Sequence, residues 1–388
     1  MDVPHVLLPS GFTRAWSHEV PGPVQPPGPL QQPGPQGAPA SGTVEHQRHD
    51  GLPVAAMLRA IWWSEDFHPN PATGLPGKVR KRPVPSAGGC YPVQLRVLCG
   101  EGCDVPPGTY VFNGTGLSGS GGELLRLRNH DGGTPPQGGP RAPARGAVVV
   151  LTVLPQRTLA KYHHRAGPLL IADAAYAAVA LVHHAAARGV DARWDVVSPV
   201  RYPGSVPEFS LATVSLGVSQ ARCPQRRHDR IAGVSEAQLA ARRSCDFSRL
   251  RARPAAGADR VVEDLLERSL LSFPQQAPPS CRARVLSAES LRDPELADRC
   301  AGQHWIGNLG ALLVFETPGT PTPAAMWWAA TVAAHTLYTA LGADLPVEFR
   351  PVGGWTGSHS GWTTLHGLGV AIRKPLTTNH ERATHAGQ

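Results

Sequence analysis

The sequence predicts an α+β protein assembled from two similar halves. Two observations carry this. Strand-like apolar runs and helical stretches occur together in both parts of the chain. In addition, two blocks each show an apolar strand followed by a long Ala-rich helix that ends at a glycine, at Gly189 and at Gly342. The offset between them, about 155 residues, is far longer than any solenoid repeat. Halves duplicated in this way are expected to pack as a pseudo-dimer with a site at the seam.

The elements follow from local pattern. Residues 1–44 are rich in Pro and Gly with few large apolar side chains, and are expected to be disordered. The first half is assigned to 45–220. It opens with a helix over Leu52–Trp63, followed by a strand over Val93–Leu98. Gly108–Phe112 and Glu123–Arg128 form a predicted hairpin around a glycine-rich loop, and Ala147–Leu154 a buried strand. Leu169–Arg188 is a long helix stopped by Gly189, and Leu211–Val218 a further strand. Residues 221–259 carry many arginines and little apolar periodicity, which predicts a solvated linker with some helix. The second half, 260–375, offers helices over Val261–Leu270, Ala288–Cys300 and Ala325–Leu341. Its strands fall at Gly310–Phe315, Val347–Pro351 and Gly367–Ile372, and a flexible tail is expected over 376–388.

Composition narrows the classes. The chain has 388 residues and 41% hydrophobic content, enough for one large or two ordinary cores. The net charge of +8 is almost all arginine, with only Lys78, Lys81, Lys161 and Lys374 as lysines. No basic stripe is interleaved with aromatics, so nucleic acid is not the expected partner. No apolar run approaches the roughly 20 residues needed to span a bilayer, and Asp2 near a start without basic residues does not read as a secretory signal. A cytoplasmic location is expected. Seven irregularly spaced cysteines read as free thiols, and no cluster has metal-ligand spacing, so no metal site is expected.

The most informative stretch is Arg80-Lys-Arg82-Pro-Val-Pro-Ser86-Ala87-Gly88-Gly89-Cys-Tyr91-Pro92. Arginine matches phosphate oxygens with a planar fork, and glycine lets backbone N–H groups approach an anion. The stretch therefore suggests a phosphate-bearing cofactor. Gly114-Thr-Gly116-Leu-Ser-Gly119 fits a dinucleotide pattern but lies between two strand-like runs, so it reads as a hairpin loop. Lys161-Tyr162 falls between a buried strand and a long helix, where an ammonium and a phenol can move protons. His183 and His184 in that helix read as packing residues. Arg350-Pro351-Val352-Gly353-Gly354-Trp355 puts a Gly-Gly turn beside an arginine at a strand edge, after Gln303-His304-Trp305 upstream.

Together these residues resemble the FMN-dependent nitroreductase superfamily, and more narrowly the SagB-type dehydrogenases of azole-containing peptide biosynthesis. Arg82-x-x-Pro85-Ser86-Ala87-Gly88-Gly89-x-Tyr91-Pro92 is similar to the family's R-x-x-P-S-A-G-(G/A)-x-Y-P, and Gly108-Thr-Tyr110-Val-Phe112 to its G-x-Y-x-Y strand. Lys161-Tyr162 matches the Lys-Tyr pair of the azoline dehydrogenases. Arg350–Trp355 resembles their flavin-contacting turn, and Arg268-Ser269 to Phe273 a partial R-S-x-R-x-F motif. The second half lacks a Ser-Ala-Gly-Gly, Ser198–Pro203 makes no good flavin turn, and Gln94 stands where many relatives carry Glu. The resemblance thus implies two fused nitroreductase-like halves, each supplying part of one flavin site, with the opposite site degenerate.

The resemblance also implies the chemistry. FMN is the expected cofactor, held by Arg80, Arg82, Ser86, Ala87, Gly88, Gly89, Arg350, Pro351, Val352, Gly353 and Gly354. Lys161 and Tyr162 are the expected catalytic pair, with either as proton acceptor. A thiazoline or oxazoline in a precursor peptide would lose a Cα proton and a Cβ hydride to become an aromatic azole, with O2 reoxidising the flavin. Expected partners are the precursor peptide and a cyclodehydratase or other maturation enzyme, and an oligomer is possible. Two alternatives stand beside this: an NAD(P)H-dependent reductase of nitro groups or quinones, and a flavin-free scaffold that docks a peptide.

Overall fold

The computed structural model describes residues 5–29, 51–70, 73–114, 122–127, 136–218, 231–243, 258–272, 278, 280–345 and 347–372. The Gly116–Gly119 part of the dinucleotide-like pattern, Phe273, and positions 376–388 lie outside them. The helices are α1 (Pro9–Phe12), α2 (Val54–Trp62), α3 (Pro155–Tyr162), α4 (Ala166–Ala187), α5 (Glu236–Arg243), α6 (Ala258–Ser272), α7 (Pro294–Arg299) and α8 (Pro323–Gly342). The first-half strands are β1 (Phe67–Pro69), β2 (Pro76–Arg80), β3 (Val93–Cys99), β4 (Gly108–Asn113), β5 (Glu123–Arg126), β6 (Ala147–Val153), β7 (Ala192–Val196), β8 (Arg201–Tyr202) and β9 (Glu208–Leu216). The second half adds β10 (Arg282–Ser287), β11 (Ala311–Pro318), β12 (Val347–Val352) and β13 (Trp362–Ile372).

The two larger sheets share a topology. One runs β5-β4-β3-β6-β9-β7, with β8 also on β9; the other runs β10-β11-β13-β12. All their pairings are antiparallel. The order β3-β6-β9-β7 repeats as β10-β11-β13-β12. In each, a long helix joins the second strand of that order to the fourth: α4 from β6 to β7, and α8 from β11 to β12. The two-half reading of the sequence is therefore visible in the strand order.

α4 and α8 hold the halves together. Neither has a polar stripe, and buried residues run along almost the whole of both. A helix apolar all round must be covered on every side. The two helices supply part of that cover to each other and take the rest from the sheets and from α2, α3, α5 and α6. Thr322 caps α8 by accepting a hydrogen bond from the Ala325 N–H at 3.2 Å, with Pro323 in the first turn. The 155–187 segment is long and apolar enough to cross a membrane, but 94% of its apolar window is buried inside the fold. It is the core helix of the first half.

Three differences from the sequence reading have physical causes. Of the stretch expected to be disordered, the part up to Trp16 packs against the fold, because Phe12 and Trp16 are buried. The Trp16 indole donates to Thr364 O at 2.7 Å, and the Gly357 N–H donates to Trp16 O at 2.7 Å. The high Pro and Gly content masked those two aromatic anchors. The helix expected over Ala288–Cys300 is a 3-10 turn at Ser290–Arg292 followed by the short α7. Asp293 stands in extended conformation ahead of Pro294 and caps α7 through Glu295 N at 3.0 Å. β9 begins at Glu208 rather than Leu211, because the Glu208 carboxylate takes a two-pronged pair from Arg96 at 2.7 and 2.8 Å and the Thr152 hydroxyl at 2.5 Å. Satisfied in this way, an acid can open a buried strand. Within the expected linker, α5 docks through the fully buried Val234 and Leu239.

The seam contains a buried histidine pair. His183 Nδ1 lies 2.8 Å from Ala232 O, and His183 Nε2 lies 3.0 Å from His335 Nδ1. A carbonyl only accepts, so His183 carries its proton on Nδ1 and its Nε2 accepts from His335. His366 Nε2 meets the Tyr176 hydroxyl at 3.1 Å. Burial pushes His183 down to about 4 and His366 down to about 3. Both rings fold neutral and bind protons more readily in the unfolded chain, so stability is full above pH 6.5 and falls as the pH drops toward 4. Urea unfolding should show a loss of roughly 2 kcal/mol per buried ring between pH 7 and pH 5. His183→Phe should flatten part of that slope.

Candidate active site

The Ser-Ala-Gly-Gly turn lies between β2 and β3 and is pinned from below. Ser86 Oγ donates to Asp173 Oδ2 at 2.6 Å and accepts from the Tyr91 N–H at 2.8 Å. The Ala87 N–H donates to Asp173 Oδ1 at 3.0 Å. Gly89 N donates to Ser86 O at 3.2 Å, and Cys90 N to Ala87 O at 3.0 Å. The N–H groups of Ala87, Gly89, Cys90 and Tyr91 are thus committed within the protein. A buried carboxylate thus takes one of the turn's amides, that of Ala87, together with the Ser86 hydroxyl. Gly88 and Gly89 adopt left-handed backbone at φ +53° and +69°, where a side chain is strained.

Lys161 and Tyr162, at the end of α3, lie over this turn. Lys161 Nζ donates to Gly88 O at 3.2 Å. A Cβ at Gly88 would fall on the Tyr162 hydroxyl and the Lys161 ammonium. Glycine is therefore required at 88 by both conformation and space. The two motifs, 73 residues apart in sequence, meet at one residue.

The second half reaches the same place. Arg350 on β12 stacks over Trp305 at 4.3 Å and acts electrostatically on Tyr162. Gly353 O accepts from Gln303 Nε2 at 2.7 Å. A Cβ at Gly353 would stand 2.7 Å from Leu169 Cδ2, so this turn rests directly on α4 of the first half. Val352 is fully buried and its carbonyl accepts the Trp355 indole at 2.9 Å, while Pro351 lies in the β12–β13 ladder opposite Leu368. Gly354 takes φ +81°.

Arg82 and Arg80 part company. Arg82 is buried between Trp62 at 5.4 Å and Tyr91 at 4.9 Å, and donates to Val93 O at 3.4 Å. Burial lowers it to about 10, and Asp173 and Tyr91 partly offset this. The Arg80 guanidinium is instead stacked on Trp63 at 4.2 Å and Phe67 at 4.4 Å, and donates to Ser64 O at 3.2 Å. Of the expected site residues, Arg80 alone faces the β1–β2 hairpin rather than the turn. Arg82 lies beyond the end of β2, free of its alternation, while the aromatic pair at Trp63 and Phe67 captures Arg80.

Asp173 is the residue that sequence reading missed. It is the single charged side chain in α4, buried beneath the turn. A lone acid in an otherwise uncharged 22-residue core helix was a signal in plain view. Burial raises Asp173 to about 7, against the lowering effect of Ser86, Ala87 and Arg82. Burial also pushes the Tyr162 phenol and the Cys90 thiol up. Arg82 acts on Asp173, Lys161 and Arg157 act on Cys90, and Arg350 acts on Tyr162. Four cations therefore converge where the described residues show one interacting carboxylate. A cavity with room for little more than a water molecule lies under the turn, lined among others by Trp62, Arg82, Tyr91 and Asp173.

The fold is that of the nitroreductases. A protein classed as a nitroreductase from Anabaena variabilis superposes over 83% of this chain and 88% of its own, at 12% identity and a TM-score of 0.55. An E. coli microcin synthetase complex aligns over 44% of this chain and 66% of that one, at 16% identity and a TM-score of 0.27. An FMN-containing oxidoreductase aligns over 34% of this chain and 78% of that one, at 15% identity and a TM-score of 0.21. The latter two scores are too low to bear on the fold. No protein-family model matches the sequence. No curated protein matches it.

Gly88→Ala tests the contact at the centre of the site. The methyl must displace the Tyr162 hydroxyl and the Lys161 ammonium, and alanine must adopt φ +53°. Urea unfolding should show a loss of about 1 kcal/mol, and the tyrosine near-UV CD signal should change.

Proposed function

We propose that the chain is an FMN-dependent oxidoreductase that converts peptide thiazolines or oxazolines to thiazoles or oxazoles. One observation carries the reading: Gly88, Lys161-Tyr162 and Arg350 meet at one place from three distant parts of the sequence. The residues fit an anionic, flat cofactor. Arg82, Arg157, Lys161 and Arg350 leave positive charge in excess over Asp173. Gly89 presents a surface without a Cβ atom, with only His68 Nε2 near it, and Trp305 under Arg350 supplies an aromatic wall. Because the Ala87, Gly89, Cys90 and Tyr91 N–H groups are committed, arginines rather than these amides are the phosphate partners in this reading.

FMN, when bound, supplies the hydride acceptor for the two-electron oxidation. The protein's own groups position the ring and handle the Cα proton. Burial keeps Tyr162 a neutral phenol at pH 7, suited to donating a hydrogen bond to the substrate or passing on a proton. Lys161, tied to Gly88 O and 5.4 Å from the centre of the Tyr162 ring, lies beside it as the second proton-handling group. Substrate is a peptide in this proposal, with a cyclodehydratase as the enzyme that supplies the azoline. The cytoplasm is its proposed location.

Denaturing the purified protein should release FMN at about one per chain, identified by chromatography and its absorbance. Lys161→Ala and Tyr162→Phe should retain flavin while azole formation on an azoline peptide falls by about 100-fold or more. Full azole formation by both variants would overturn the catalytic assignment. Steady NAD(P)H turnover with small nitro or quinone acceptors, and none on azolines, would replace the substrate assignment.

A further inference from the structure

We propose that Asp173 is the positioning residue of this site: by gripping the Ser86 hydroxyl and the Ala87 N–H, it fixes the turn in the shape that seats Lys161 on Gly88. The geometry is a chain of contacts. Asp173 is 5% exposed and takes both turn donors, at 2.6 and 3.0 Å. Ser86 Oγ, oriented by that bond, accepts the Tyr91 N–H at 2.8 Å and closes the turn. The closed turn holds Gly88 at φ +53° with its carbonyl toward Lys161 Nζ, 3.2 Å away. Each link is a hydrogen bond whose far partner is set by the previous one. Losing the carboxylate frees two donors at once, and the turn has no other described acceptor for them.

The same carboxylate explains why this loop tolerates three left-handed positions within four residues. Gly88, Gly89 and Tyr91 all have positive φ. Such backbone persists only where surrounding contacts over-determine it. Tyr91 is further held by its hydroxyl, which accepts the Arg82 N–H at 3.3 Å and lies 2.8 Å from His68 Nε2. Asp173 supplies the corresponding anchor for the Ser86–Ala87 side.

The groups facing Asp173 are Arg82, Cys90 and Tyr91 from the loop before β3, Tyr162 from α3, and Tyr176 one turn along α4. Arg82 is the cation among them. Burial brings the carboxyl into the neutral range, so its grip weakens as pH falls from 8 to 6, when one oxygen is protonated and ceases to accept. Position of the turn then becomes pH-dependent through one residue.

Lysine labelling reads this without flavin or substrate. The chain has only four lysines, so acetylation by a brief pulse of acetic anhydride can be followed at Lys161 by mass spectrometry, with Lys81 as the internal reference. In Asp173→Asn the Lys161:Lys81 labelling ratio at pH 8 should rise about threefold or more. In the wild type the ratio should rise as pH falls from 8 to 6, and in Asp173→Asn it should stay flat. Ser86→Ala, which removes one of the two gripped donors, should raise the ratio by an intermediate amount and serves if Asp173→Asn does not fold. An unchanged ratio in a folded variant, or the same pH response with and without the carboxylate, overturns the proposal.

This inference rests on the proposed function only for its relevance to catalysis, and the two can fail separately. A labelling response in a protein that binds no FMN leaves the positioning role standing and removes the flavin reading. FMN binding with no labelling response does the reverse.

Discussion

The packing of α4 against α8 is the constraint on which the rest depends. Both helices are buried on nearly all faces, so neither can exist at the edge of its own half. Each half alone would expose one of them. Burial of Leu170, Ala174, Val179 and Leu181 on one, and of Met326, Val332, Ala333 and Leu337 on the other, removes that surface from water, at about 25 cal/mol per Å² of apolar area. Two polar pairs bridge the seam: His183 with His335, and Tyr176 with His366. Joined in one chain, the two halves need no second molecule to complete this interface.

The site is a consequence of that seam, and it is asymmetric. The first half brings the glycine turn and α3; the second brings β12 and Trp305. α4 serves both, because Asp173 grips the turn of one half while Leu169 supports Gly353 of the other. A core helix that carries one acid thereby sets the relative placement of two loops about 265 residues apart in sequence. The N-terminal segment adds a strap across the same region. Gln25 N donates to Ala160 O at 2.7 Å, Arg157 to Gly28 O at 2.7 Å, and His163 Nε2 lies 3.1 Å from Pro23 O. Residues that looked like a tail thus brace α3, the helix that presents Lys161 and Tyr162.

Much of the fold was legible because hydrophobic period and glycine stops are local properties. α4, α8, β3, β6 and β11 lie within a few residues of where the pattern puts them. The failures share a cause. β9 was started late because Glu208 is polar, and its burial depends on Arg96, 112 residues away. β10, Arg282–Ser287, was missed because its alternating arginines hide an edge strand; Arg282 and Arg284 both pair with Glu316 on β11, at 2.9 and 2.8 Å. The N-terminus was misread because a single buried indole bonding to a distant carbonyl outweighs a proline-rich composition.

At the site, the sequence by itself determined which residue types were present: an arginine, a hydroxyl and paired glycines in one loop, a Lys-Tyr pair at a helix end, a second glycine turn beside an arginine. Backbone conformation at Gly88 and Gly89 follows from those residues, since only glycine takes left-handed φ cheaply. What only the tertiary structure decided is which of them meet and which way their hydrogen bonds run. It turned Arg80 toward Trp63 and Phe67, set Lys161 and Tyr162 on Gly88, and gave the turn's donors to Asp173 rather than to an anion. A buried donor takes whichever acceptor the packing of other elements places within reach. For Ser86 and Ala87 that acceptor comes from a helix that begins about 80 residues later, and no local pattern encodes its position.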